Sequence, residues 1–383
     1  MLFPSNVITV GSRKIGAGQR VFLTAEIGLA HMGNFEDCKA MVRAAAEAGC
    51  DGVDIFMCSG EDFYFAPFGP GDSRDSRKTW REQSFNDDQW RELLALSREL
   101  DIILYPTPLD PVSLRRTGEL GFPMLNLNSD DINNVLMLEE AAKLGIPITF
   151  HDINASLAEA EAAVRVLTDA GARELIILHS TQESGDEAEL YASANLEVIN
   201  TYRQAFGHAG VLAGCVEHTT SDFLIYAVAA MRPALISKHI QIDKEKNQHD
   251  NQISVNLAEL KTMVKKVRYV EMALGGGVNQ RNVGPDGAMS HGAMARRKVL
   301  VAARDIPAGK VIERADLIAK RPGHLGGLHP WQAYTVLGAR ARHAIAYNTP
   351  LELDDFEAFG PHSYKFPEIE VCRVGNVANI RGA

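Results

Sequence analysis

The chain is poor in cysteine, and none of its cysteines is spaced for a metal or a redox pair. Cys38, Cys50, Cys58, Cys215 and Cys372 are scattered, with no C-x-x-C among them. An odd, dispersed set argues against a disulfide framework and fits free thiols in a reducing compartment, so a cytoplasmic location is expected. Long apolar runs are missing too. No stretch approaches the ~18 apolar residues of a membrane span, so none is expected. The opening MLFPSNVITVGSRK has no apolar secretion-signal segment. Positive charge is in deficit: 39 Lys and Arg stand against 49 Asp and Glu, a net charge of -10, which argues against a nucleic-acid surface. No glycine-rich dinucleotide fingerprint follows the first apolar run.

The 383 residues, 46% of them hydrophobic, supply ample core for about two domains. Apolar runs at 21–26, 51–56, 101–105, 123–127, 147–151, 174–179, 210–215 and 234–239 read as strands. Helix-period segments lie between them, at 36–48, 87–99, 131–144, 155–170, 192–205 and 220–230, with a last helix near 256–273. Eight such units match a (β/α)8 TIM barrel. An open doubly wound sheet is the competing arrangement. Residues 57–86 break the rhythm and read as a lid or substrate loop. The expected division is a barrel over 1–274, a linker over 275–297, a small β-rich domain over 298–360 and a tail over 361–383. Both halves of the small domain read as strand, turn, strand.

Chemistry concentrates at the predicted strand ends, the edge where β/α folds keep their sites. Two apolar runs close on histidine, Val211 to His218 and Ala234 to His239. If those strands are neighbours, both imidazoles emerge at one edge, a pair suited to a divalent metal. Glu26 ends the first strand and could orient substrate, reach a metal through water or act as base. Asp54 ends the second, Thr107 follows the third, and Asn126, Ser129 and Asp131 cluster after the fourth. Ser129 could equally be a helix cap, and Asp131 an ordinary helix-start carboxylate. His151 and Asp152 end the fifth, Gln182 lies just beyond the sixth, and Lys238 precedes His239. Gly28 and Gly33 frame a loop expected to expose His31. A polar group at nearly every strand end favours an enzyme.

These motifs resemble the N-acetylneuraminate (sialic acid) synthase family over nearly the whole chain. The likeness rests on Ala25-Glu26-Ile27-Gly28 with His31 and Gly33-Asn34, on Glu217-His218-Thr219, on Lys238-His239 followed by Asp243, and on Asp250-Asn251-Gln252-Ile253-Ser254. Val301 to Ile306 and Lys320-Arg321-Pro322-Gly323 resemble the family's antifreeze-like (SAF) domain. The resemblance implies a TIM barrel followed by an SAF domain in a domain-swapped homodimer, with Arg321 reaching the partner's sugar. It implies manganese or magnesium on His218 and His239, with Asp250 in the substrate site. The implied reaction joins phosphoenolpyruvate to a sugar aldehyde, giving a nonulosonic-type keto acid.

The departures are specific. The resemblance places lysine where this chain has Asp54 and Asn126, a serine-threonine-glycine where it has His151-Asp152-Ile153, and serine where it has Val216. Thr107 and Ser129 remain. A lysine contact to phosphate contributes roughly 1.5–3 kcal/mol, and aspartate reverses its sign. Lys238 or the loop arginines Arg74, Arg77 and Arg81 would have to replace it. Two other readings stay open: a metal-dependent aldolase or lyase acting on an unphosphorylated keto acid, with Asp54, His151 and Asp152 in catalytic roles, and a non-catalytic sugar-binding relative.

Overall fold

The computed structural model describes residues 6–60, 62–63, 77–182, 187–219, 221–242, 249–275, 297–321 and 326–359. The chain divides into two compact units, Met1–Gly275 and Gly276–Ala383. Part of the 57–86 loop, most of the linker and the whole 361–383 tail lie outside the described residues.

The first unit opens with an antiparallel hairpin, β1 (Val7–Val10) and β2 (Arg13–Gly16). The sequence pattern had not marked it as structure. Its alternation puts Ile8, Val10 and Ile15 on one face, and they pack with Phe22, Tyr105, Ile176, Leu212 and Leu235. Those partners belong to the strands that follow, so the hairpin shares their inner core.

Eight parallel strands come next: β3 (Phe22–Gly28), β4 (Gly52–Met57), β5 (Ile103–Pro108), β6 (Leu125–Leu127), β7 (Ile148–His151), β8 (Leu175–Gln182), β9 (Leu212–His218) and β10 (Leu235–Gln241). Hydrogen bonds link neighbours in the order β5-β4-β3-β10-β9-β8-β7-β6. β5 and β6 lie side by side across the remaining seam. This is a nearly closed TIM-like barrel, as the eight-unit count predicts. Strands covered on both faces read as continuous apolar runs, and every residue of β3, β5, β7 and β10 is buried.

The helices begin where polar residues can cap them. Asn34 accepts from the amides of Glu36 and Asp37 to start α1 (Phe35–Ala48), and Gly49, at φ 88, ends it. Reciprocal capping boxes open the helix Asp87–Glu99 through Asn86 and Gln89, and the helix Leu157–Asp169 through Ser156 and Glu159. A third, Asn256 with Glu259, opens the helix Leu257–Leu274. Helix Pro111–Leu120, absent from the expected set, is announced by an Asp110 cap and a proline in its first turn. The expected helix at 192–205 divides into Glu187–Ser193 and Val198–Phe206, with Asn195 between them at φ 38.

At the amino-terminal side of the strands, buried Asp51 gathers the ends of the unit. Its Oδ1 accepts from Arg20 at 2.5 Å and lies 3.6 Å from Arg13 Nε. Its Oδ2 accepts from Arg268 of the helix Leu257–Leu274 at 2.6 Å and from the Leu23 amide at 3.0 Å.

The second unit repeats one motif. Val299–Ala302 pairs antiparallel with Leu317–Lys320, and Arg340–Ala341 with Phe356–Glu357. Each second strand follows a single 3-10 turn closed by Glu and Asp three apart, Glu313 with Asp316 and Glu352 with Asp355. Among the described residues, no helix is long and apolar enough to cross a membrane.

Candidate active site

Strand periodicity decides which polar residues meet. Successive side chains alternate between the barrel axis and the helix layer. Glu26, Ser237 and His239 share the axial face: Ser237 Oγ donates to Glu26 Oε2 at 2.9 Å, and His239 Nε2 lies 3.4 Å from Glu26 Oε1. His218, at the end of β9, stands with its ring centroid 5.0 Å from that of His239. One donor atom each from Glu26, His218 and His239 falls within 4.8 Å of the others.

These groups suit a divalent cation. Burial first, and mutual repulsion for His218, lower both imidazoles to about 4. They are therefore neutral, with lone pairs available, at ordinary pH. Burial raises the Glu26 carboxyl above its usual range, opposed by His218 and by the Ser237 hydrogen bond. A cation would favour its ionised form.

A cavity of about 550 Å³ opens over this group. Phe56, Asn128, His151, Ile153, Asp250, Gln252 and Ile253 complete its lining. Asp250 adopts φ 57, and its Oδ2 lies 3.9 Å from His239 Nδ1. His151 is 4% exposed, and its Nε2 has no hydrogen-bond partner among the described residues. Burial, then the neighbouring His218 and His239, lower its ring to about 3. Asn128 carries no sequence signal of its own, whereas Ile153 follows the His151-Asp152 pair and Gln252 and Ile253 lie within the Asp250 motif.

One layer beneath the cavity, four expected and unexpected residues form a chain across β4 to β7. Thr107 Oγ1 lies 2.8 and 2.9 Å from the two oxygens of Asp54. Asn126 Nδ2 donates to Asp54 Oδ2 at 3.1 Å and to Thr107 Oγ1 at 2.8 Å. Thr149, which no motif marks, donates to Asn126 Oδ1 at 2.7 Å. Burial, reinforced by the charge of Glu26, pushes the Asp54 carboxyl well up.

A strand-end position does not by itself put a side chain in the mouth, and two expected catalytic residues stand elsewhere. Lys238 alternates with Ser237 and His239 and so faces the helices. Its Nζ donates to Glu217 Oε2 at 2.6 Å and to the Thr219 carbonyl at 2.7 Å. Asp152 accepts from Tyr202 at 2.6 Å and from the Ser180 amide at 2.7 Å, and pairs with His179 Nδ1 at 2.9 Å. It fastens β8 to its neighbours. Neither residue lines the cavity.

Ser129 and Asp131 form a single 3-10 turn beside the mouth, capped by Asn128. Asp131 accepts from Asn134 at 2.7 Å and is pushed up to about 6 by burial. Gln182 ends β8 opposite His218; its side chain falls outside the described residues, as does Asp243. Arg321 is exposed after the strand Leu317–Lys320 of the second unit. The expectation of an exposed His31 is corrected: the ring is 1% exposed and stacks on Phe85 at 4.5 Å. Positive φ at Gly28, Met32 and Gly33 turns the loop inward.

A TIM-like barrel with a carboxylate and two imidazoles gathered at its carboxyl-terminal mouth, followed by a small repeated β unit, is the architecture this chain presents. Residues 41–279 match the NeuB family and residues 297–357 match the SAF domain. The chain belongs to the NeuB family. It is 26% identical to the N,N'-diacetyllegionaminic acid synthase of Campylobacter jejuni, over 80% of this chain and 92% of that one. It is 27% identical to the N-acetylneuraminate-9-phosphate synthase of Mus musculus, over 86% and 90%. The N-acetylneuraminic acid synthetase structure from Leptospira borgpetersenii superposes with a TM-score of 0.64 at 26% identity, covering 72% of this chain and 92% of that one. Relatives named as sugar-acid synthases make sugar-related condensation the general chemistry of this scaffold.

Proposed function

We propose that this chain is a metal-dependent enzyme that forms a carbon–carbon bond between a three-carbon donor, phosphoenolpyruvate or a related acid, and a sugar aldehyde, giving a nonulosonic-type keto acid. The observation that carries this reading is the convergence of Glu26, His218 and His239 within 4.8 Å at the cavity floor.

His218 and His239 would hold the ion, manganese or magnesium, with Glu26 in reach beside them. Such an ion supplies Lewis acidity at a carbonyl oxygen. The protein's own groups do the rest. Ser237 fixes one oxygen of Glu26 and leaves the other facing the histidines, which suits Glu26 to proton transfer at the reacting carbons. Phe56, Ile153 and Ile253 give the cavity apolar walls, which keep water from a reactive enol. Asn128, Asp250 and Gln252 offer polar contacts to a polyol. In this reading the enzyme works in the cytoplasm as a domain-swapped homodimer, and Arg321 of one copy reaches the sugar in the other.

The test is incubation of the full-length protein with manganese, phosphoenolpyruvate and N-acetylmannosamine, with product analysis for both free phosphate and a new keto acid, repeated with other donor and aldehyde pairs. Metal-dependent keto-acid formation from any pair supports the reading. Stoichiometric manganese on a His218→Ala, His239→Ala double variant would refute the metal assignment.

A further inference from the structure

The three groups at the cavity floor are not held alike. Glu26 and His239 stand on adjacent strands and are paired with each other in register. His218 lies one residue beyond the last pair between β9 and β10, Glu217 with Lys238. Among the described residues its ladder partner is Gln182 of β8. A ligand at a strand end, paired on one side, needs other anchors if its ring is to stay beside the other two groups.

Side chains supply those anchors. Thr181 of β8 is fully buried and does not line the cavity. Its hydroxyl oxygen accepts from the His218 amide at 3.0 Å and donates to the Val216 carbonyl at 3.4 Å. It therefore spans the β9 backbone on either side of Glu217 and fixes how the peptide before His218 is turned. On the far side, the Thr219 amide donates to Glu217 Oε1 at 2.9 Å, its hydroxyl donates to the same oxygen, and its carbonyl accepts from Lys238 Nζ at 2.7 Å. His218 is thus clamped through both neighbouring peptides while it lines the cavity. Packing alone does not call for a hydroxyl at position 181. Valine has the same branched shape and buries no polar group.

We propose that Thr181 is a positioning residue for the metal: its hydroxyl sets the β9 backbone from which the His218 ring stands beside Glu26 and His239. This rests on the metal-dependent function proposed above and adds to it a residue that touches neither metal nor substrate. Groups that orient a metal-binding residue from behind change metal affinity by roughly 10–100-fold when they are lost. The Thr181 hydroxyl acts on one ligand of the set, so its removal weakens the site without deleting a donor atom.

The experiment is calorimetric titration of the full-length protein with manganese, for the native chain, Thr181→Val and Thr181→Ser. Valine keeps the shape and removes the hydroxyl, whereas serine keeps the hydroxyl. Thr181→Val is expected to weaken manganese about tenfold or more, and Thr181→Ser to stay close to native. Cobalt(II) in place of manganese gives a second readout, because its visible absorption follows the number and geometry of its ligands. That spectrum is expected to shift in Thr181→Val in the direction seen for His218→Ala and to stay native in Thr181→Ser. A residue that only stabilised the fold would lower the urea midpoint of Thr181→Val and leave both metal readouts of the folded protein unchanged. That result, with native circular dichroism, overturns the proposal, as does equal loss of manganese in the serine and valine variants. If valine prevents folding, Thr181→Ala carries the same expectation. The native titration separates the two levels. No bound manganese on the native protein removes the function proposed above and the positioning role with it, whereas bound manganese with unchanged affinity in Thr181→Val removes the positioning role alone.

Discussion

Replacing Lys238 by methionine should be among the most damaging single changes to the barrel outside its apolar core. The ammonium is 4% exposed and its partner Glu217 is fully buried, with 2.6 Å between them. Glu217 also accepts from the Thr219 amide at 2.9 Å and from the Thr219 hydroxyl. Those neutral donors remain in Lys238→Met, but the carboxylate loses its counter-charge in a site that water does not reach. Breaking a buried pair on one side costs about 3–5 kcal/mol. Removing both charges is different, because an amide can keep the Thr219 contacts. The double variant Lys238→Met, Glu217→Gln should therefore recover at least half of the loss, roughly 2 kcal/mol. Equilibrium urea unfolding of the three proteins measures both quantities. A single variant within about 1 kcal/mol of the native protein, or a double variant no better than the single, would refute the ion-pair account. The pair also abuts both imidazoles, since Glu217 precedes His218 and Lys238 precedes His239. Manganese affinity, measured on the same samples, should fall with the single change and return with the double.

Other outcomes follow from the same geometry. His218→Ala or His239→Ala should each bring manganese stoichiometry close to zero by elemental analysis, with native circular dichroism. His179 places both ring nitrogens on acceptors, Asp152 Oδ2 and the Ala194 carbonyl, each at 2.9 Å. Burial lowers its pKa, but Asp152 and Ala194 more than offset this and leave it raised. A raised folded value means the stabilisation is fully present below the unfolded pKa of ~6.5 and is lost as pH rises through the folded value. Unfolding measured across that window should show the loss, and His179→Asn should flatten it. Gly214→Ala puts a Cβ 2.5 Å from Leu178 Cδ2 and 2.7 Å from the Leu235 carbonyl oxygen; overpacking of about 1–3 kcal/mol should appear as a lower urea midpoint. Arg321→Ala should raise the KM for the sugar without moving the first unit's unfolding transition, and unchanged sugar kinetics would count against the swapped cap.

The barrel was legible because its strands are buried on both faces. Runs such as Leu175 to Leu178 leave little alternative to a covered parallel strand. The helices at 155–170 and 256–273 were legible from their apolar period, and the structure adds the caps that open them, Ser156 and Asn256. The hairpin at Val7–Gly16 escaped notice because four-residue strands carry little period, and only tertiary packing of Ile8, Val10 and Ile15 gives them a purpose. The site was legible in part. His218 and His239 share a face because their strands are adjacent and in phase, and that could be read from spacing. Lys238 could have been excluded by the same rule, since a residue next to His239 in a strand must face the other way. A glycine-framed loop suggests exposure at His31, whereas the positive φ at Gly33 and the Phe85 ring fold it inside. The Asp54–Thr107–Asn126–Thr149 layer joins four strands through side chains 19 to 72 positions apart, and no local pattern encodes such a contact.

Asp51 ties residues from the two extremities of the first unit, Arg13 and Arg20 near its start and Arg268 near its end. During synthesis the carboxylate emerges more than two hundred residues before its last guanidinium. A nascent chain lacking the helix Leu257–Leu274 already carries all eight staves, with β10 paired to β3, yet holds that acid only through Arg13, Arg20 and the Leu23 amide. Fragments cut short of Arg268 thus possess every strand of the cylinder but leave Asp51 Oδ2 with the Leu23 amide alone, so the latch between the unit's two extremities is completed last.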